Sequence, residues 1–103
     1  DNKKEYFIRH ENNIFFYDFT LPKQKIIIEY HGIAFHPKHG EYDWKNPFGA
    51  DYETIRNKDI LKSRIAKENG FTFYVLWGDE PKNNELIIES IINKLKEKEH
   101  DKS

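Results

Sequence analysis

The chain has 103 residues, a formal net charge of −1 and no cysteine. That length fits one domain with one core, and without thiols neither disulfides nor cysteine-bound zinc can contribute. The near-zero charge gives no global electrostatic case for nucleic acid, and no apolar stretch approaches the ~20 residues that span a membrane. Charged residues make up 34% of the chain, but an aromatic share of 16% argues against disorder. The chain opens on charged residues without a Met. We therefore expect residues 1–103 to form a single domain excised from a longer, intracellular protein.

Residues 6–9 and 14–19 are β-prone runs separated by the turn-like Glu11-Asn12-Asn13, which predicts an antiparallel hairpin. Leu21-Pro22-Lys23-Gln24 turns the chain into a strand over 25–30, whose consecutive Ile26, Ile27 and Ile28 suggest cover on both faces. The stretch 31–51 holds three glycines and two prolines and reads as a long loop, functional or mobile. A helix follows over 52–69, with Asp51 as N-cap and Gly70 as its stop. Its inward stripe, Ile55, Asp59, Lys62 and Ala66, unexpectedly carries two charges. Residues 71–77 form a second apolar strand. A last helix over about 84–98 should bury Ile87, Ile88, Ile91, Ile92 and Leu95, and the tail 96–103 should fray. Strand, helix and strand across 25–77 predict a right-handed crossover between parallel strands. The order β-β-β-α-β-α then makes a small α/β domain with a mixed sheet.

The chemistry concentrates at strand ends. Asp18 closes one strand and Glu29 lies near the end of the next, so an antiparallel turn brings the two carboxylates together. Charges ~4 Å apart repel by roughly 4 kcal/mol at an effective dielectric of 20. A shared proton or a divalent cation offsets that. Oxygen donors suit Mg²⁺, which polarises a phosphoryl oxygen and activates water. His31 and His36 follow at the sheet edge, where a neutral imidazole can take a proton from that water, and Asp59 can hold one imidazole in the required tautomer. Each residue also has a plainer reading: Asp18 as a turn former, Glu29 as a strand emerging into solvent, the histidines as solvated loop residues, and Asp59 with Lys62 as a helix ion pair. A zinc or nickel site of His31, His36 and His39 stays open as well.

Asp18, ten intervening residues, then Glu29-Tyr30-His31 resembles the D…(D/E)xK pattern of the PD-(D/E)XK nuclease superfamily, with His31 at the lysine position. His31-Gly32, His36 five residues past His31, Asp59 eleven residues before Gly70-Phe71, and an aromatic strand ending in Trp77 are more closely similar to the very-short-patch-repair (Vsr) endonucleases. A phage homing-endonuclease branch shares that core under the signature EDxHD. The resemblance covers about residues 14–80. It implies a restriction-endonuclease-like mixed sheet flanked by helices and Mg²⁺- or Mn²⁺-dependent hydrolysis of double-stranded DNA. A homodimer of the full-length protein is compatible with it, and if phage-encoded the protein would work in the cytoplasm of a bacterial host.

Carried over by position, the resemblance makes Asp18 the principal metal carboxylate and Tyr30 a donor through its backbone carbonyl. Glu29 takes the acidic position of the wider superfamily, His31 the lysine-like place, His36 the acid/base role and Asp59 its support. The family's upstream Glu has no evident match, and Glu5 is not assigned that role. A structural zinc is not expected, and mismatch specificity does not carry over. Lys38, Lys45, Lys58 and Lys62 are candidate DNA contacts, with Tyr42, Trp44 and Phe48 available for sugars or bases. The rival readings are a non-catalytic nucleic-acid- or protein-binding module of nuclease-like fold and a histidine-metal hydrolase.

Overall fold

The computed structural model describes residues 6–101, the side chains of 98–101 excepted. Glu5 lies outside that range. The chain is mixed α/β, with seven elements among the described residues: β1 (Tyr6–His10), β2 (Asn13–Tyr17), β3 (Phe19–Leu21), β4 (Ile26–His31), α1 (Tyr52–Glu68), β5 (Thr72–Trp77) and α2 (Pro81–Asp101). β1 and β2 form an antiparallel two-stranded sheet, and β3-β4-β5 a second sheet in which β3–β4 is antiparallel and β4–β5 parallel. Strand, helix and strand through β4, α1 and β5 thus give the expected crossover.

The run expected as one strand over 14–19 is two strands that break at Asp18. β2 pairs with β1 and β3 pairs with β4, so the chain has to leave one sheet and enter the other at that residue. The β3–β4 turn is tight: Lys25 N–H donates to the Pro22 carbonyl at 3.3 Å, with Lys25 at φ +59°. It sets Phe19 opposite Ile28, and the same register continued by one residue sets Asp18 opposite Glu29. A slip of β3 by one residue would turn its side chains to the other face and undo that alignment.

Side chains alternate across β5. Phe73 faces α1 and joins the core around Ile8, Tyr17, Ile27, Ile65, Ala66 and Phe71. Tyr74 faces α2, where Lys94 donates to its hydroxyl at 2.9 Å. Asp51 caps α1, its carboxylate accepting from Thr54 N–H at 2.9 Å, and Gly70 follows the helix at φ +87°, a conformation that side chains disfavour. Asp59 is buried within α1, as its inward stripe predicts.

α2 departs from expectation at both ends. It begins at Pro81, where a missing N–H costs nothing, and it runs through Asp101. Residues 102 and 103 lie outside the described range. Only part of its apolar stripe is covered: Ile91 is buried, but Ile88 and Ile92 are 42% and 45% exposed. A three-stranded sheet is too narrow to cover both flanks of the helix.

The loop 31–51 is pinned. The Gly32 carbonyl accepts from both Phe35 and His36 N–H at 3.0 Å, Trp44 Nε1 donates to the Ile33 carbonyl at 2.9 Å, and Pro37 is buried. Asn46 Oδ1 accepts from the Phe48 and Ala50 amides at 2.9 and 2.8 Å. Among the described residues no helix is long and apolar enough to cross a membrane.

Candidate active site

The register of β3 on β4 produces a reciprocal contact. Asp18 N–H donates to Glu29 Oε2 at 2.8 Å, and Tyr30 N–H donates to Asp18 Oδ2 at 2.9 Å. Each carboxylate therefore accepts a backbone amide of the opposite strand instead of facing the other bare. Asp18 is exposed, and Glu29 is 3% exposed. In an extended strand the N–H and C=O of one residue point to the same side, so the Tyr30 carbonyl faces the Asp18 side as well.

Glu29 is neutralised from within the protein. Lys62 Nζ donates to its Oε1 at 2.9 Å, and His31 Nε2 lies 3.9 Å from the same oxygen. Burial pushes its carboxyl up, but the nearby His31 imidazole and the hydrogen bonds from Lys62 and the Asp18 amide prevail and hold it below the ordinary carboxylate value. Lys62 is fixed in turn by the Tyr17 ring, 5.0 Å from its ammonium, and by Tyr17 hydroxyl, which donates to the Lys62 carbonyl at 2.9 Å.

Past Glu29 the chain of contacts continues through the histidines. His31, 4% exposed, stacks on His36 with ring centroids 4.0 Å apart and planes 5° off parallel. His36 Nδ1 lies 2.9 Å from Asp59 Oδ2. An ionised carboxylate only accepts, so this contact places the proton on Nδ1 and leaves Nε2 of the half-buried ring as the basic nitrogen. Asp18, Glu29, Tyr30, His31, His36 and Asp59 are thus one contiguous cluster, gathered from the bend between β2 and β3, from β4, from the loop that follows it and from the inward stripe of α1.

Donor atoms of His31, His36 and Asp59 lie within 4.8 Å of one another. His39 does not join them: it is exposed, and the histidine trio expected for a zinc or nickel site is not assembled. Stacked parallel rings also aim their nitrogen lone pairs side by side rather than at a common point. Asp18 supplies the fit for a hard cation, with an exposed carboxylate of which only Oδ2 is hydrogen-bonded among the described residues and a backbone carbonyl on its side. Glu29 lacks that character because Lys62 already compensates it.

Two of the four lysines expected to contact DNA are placed otherwise. Lys62 is turned inward onto Glu29. Lys38 bonds Asp79 Oδ2 at 3.0 Å and Glu80 Oε2 at 2.6 Å, tying the loop to the β5–α2 turn. Its ammonium is held above its ordinary value by those two partners. Lys45 and Lys58 are exposed, as are Tyr42 and Phe48, the latter 84% so. Trp44 is half-buried, its indole N–H engaged by the Ile33 carbonyl. The role of Lys62 had one sequence signal, a cation on the inward stripe of a helix. No protein-family model, curated protein or solved structure matches this chain.

Proposed function

We propose that the chain is the catalytic domain of a metal-dependent DNA endonuclease of the PD-(D/E)XK type, akin to Vsr and phage homing endonucleases. The observation that carries the reading is the Asp59–His36 pair, 2.9 Å apart, contiguous with an exposed strand-end carboxylate at Asp18. A binding module has no need of a buried aspartate that fixes the tautomer of a half-buried histidine.

Asp18 and the Tyr30 carbonyl would hold Mg²⁺ or Mn²⁺, which supplies charge stabilisation at phosphoryl oxygen and a more acidic water. His36 Nε2 accepts the proton of the attacking water, and Asp59 stabilises the imidazolium that results. His31, stacked on His36, fixes the plane of that ring. Glu29 acts as a positioning residue: through the Asp18 amide it holds the bend that presents the Asp18 carboxylate. Exposed Lys45, Lys58, Tyr42 and Phe48 are the candidate DNA contacts, and binding by this chain alone is weak and salt-sensitive.

The test is plasmid nicking with and without Mg²⁺. Wild type should cut only with the metal, and Asp18→Ala should lose cleavage while staying folded. Cleavage retained by Asp18→Ala rejects the assignment. A second reading, a transition-metal hydrolase on His31, His36 and Asp59, draws on their donor atoms lying within 4.8 Å of one another. Activity restored by Zn²⁺ but not by Mg²⁺, and indifferent to Asp18→Ala, would select it.

A further inference from the structure

The α1 face of the sheet carries a cavity of about 570 Å³ on the β5 side of His31, away from Asp18 on the β3 side. Its floor is Phe73, Val75 and Trp77, and its wall is the α1 row Arg56, Ile60, Ser63 and Lys67. That volume lies within the range of small-molecule sites, ~300–1,000 Å³.

Three features define what it can hold. First, His31 is 4% exposed, lines the cavity, and has an Nδ1 with no hydrogen-bond partner among the described residues. Because its Nε2 faces the Glu29 carboxylate at 3.9 Å, the proton of the neutral ring belongs on Nε2 and Nδ1 is an acceptor awaiting an N–H or O–H. Second, Arg56 and Lys67 have no ion-pair partner among the described residues, and the Arg56 Nε is buried and unpartnered. Lys38 also lines the cavity but is already matched by Asp79 and Glu80. Asp59, the acidic group of the lining, is engaged by His36. Third, the aromatic and aliphatic floor favours a flat apolar body.

An inorganic anion satisfies only the cations, and a neutral ring system only the floor. A nucleoside phosphate carries all three parts: a phosphate for Arg56 or Lys67, a base for the floor, and amino or hydroxyl donors for His31 Nδ1. We infer that this cavity accepts one unpaired nucleotide of the substrate strand beside the hydrolytic centre, an inference that rests on the nuclease reading above. Base stacking on aromatic side chains with cations on the phosphate is the general mode of single-strand binding. The enzyme then prefers DNA with an unpaired nucleotide near the cleaved bond.

The test is titration of the whole chain with deoxyadenosine 5′-monophosphate, without divalent metal, followed by the Trp77 indole NMR signal and by calorimetry. We expect saturable binding about tenfold or more tighter than for inorganic phosphate, deoxyadenosine or phenyl phosphate, from the contribution of a stacked base. Arg56→Ala with Lys67→Ala should weaken it about tenfold, the scale of one lost charge-assisted contact, while circular dichroism stays native. Equal affinity for phosphate or phenyl phosphate, no saturation, or indifference to the double variant overturns the inference. Asp18→Ala should bind the nucleotide as wild type does. Cleavage without nucleotide binding therefore defeats the cavity alone, whereas nucleotide binding without cleavage defeats the nuclease reading alone.

Discussion

Lys62→Met removes one charge from the middle of the site and keeps an unbranched stem beside Tyr17. Glu29 is left buried at 3% exposure with the Asp18 amide at 2.8 Å and His31 at 3.9 Å as its remaining partners. Breaking a buried ion pair from one side costs about 3–5 kcal/mol. Lys62 retains 15% side-chain exposure, and one strong hydrogen bond to Glu29 survives, which places the expected loss at the lower end. We expect ~3 kcal/mol at pH 7, or about 12–24 °C in Tm for a chain of this size.

The pH dependence separates this cause from lost packing. In the wild type, Glu29 is held below its ordinary value, so its contribution is fully present above the unfolded pKa and is lost as pH falls through the folded one. In Lys62→Met, burial prevails and the carboxyl rises. Its ionisation then costs stability at neutral pH, and that cost disappears as the group protonates. The gap should therefore narrow from pH 7 to about pH 4.5 because the variant regains stability, and narrow further below that pH as the wild type loses the Glu29 contribution. Urea unfolding at pH 7, 5.5 and 4.5, followed by circular dichroism, measures the gap. A difference under ~1 kcal/mol at pH 7, typical of exposed pairs, would refute the argument. So would a gap that does not change with pH.

Three other outcomes follow from the same geometry. Asp18→Ala should abolish Mg²⁺-dependent nicking but lower stability by only about 1 kcal/mol, the net value of its single hydrogen bond to Tyr30 N–H, in parallel cleavage and urea assays. Asp59→Asn should reduce kcat by ~10²-fold or more with KM nearly constant, through loss of the His36 tautomer; single-turnover kinetics showing an unchanged rate would exclude Asp59 as the support of His36. Tyr17→Phe should cost ~1 kcal/mol for the bond to the Lys62 carbonyl. Burial and the Glu29 charge push the Tyr17 hydroxyl up to about 12. The stability this tyrosine supplies is thus complete below the unfolded pKa of ~10 and drains away as pH rises toward the folded value. Tyr17→Phe should lose that segment of the alkaline unfolding curve.

The positions of charges along the chain were legible because strand and helix ends are local events. The isoleucine run locates β4, Asp51 and Gly70 bracket α1, and the spacing within α1 turns Asp59 inward. Hence Asp18, Glu29, His36 and Asp59 could be expected at one end of a sheet. What those groups would touch was not local. The contact of Lys62 with Glu29 spans 33 residues, and whether Glu29 faces a cation of the protein or of the solvent depends on how α1 settles over β4.

The same limit accounts for the misread elements. Apolar residues fill 14–17 and 19 without a glycine or proline, so nothing short of the pairing pattern reveals that β2 and β3 belong to different sheets. Periodicity likewise marks Ile88 and Ile92 as one stripe with Ile91 but cannot count the strands available to cover them. The break at Asp18 is where this matters most. A continuous strand would alternate its side chains straight through that residue and make no corner there. Because the chain turns from one sheet to the other, Asp18 stays exposed while its amide binds the buried Glu29. The bend therefore separates two carboxylates of opposite register into an internal anion neutralised by Lys62 and an external one open to a cation.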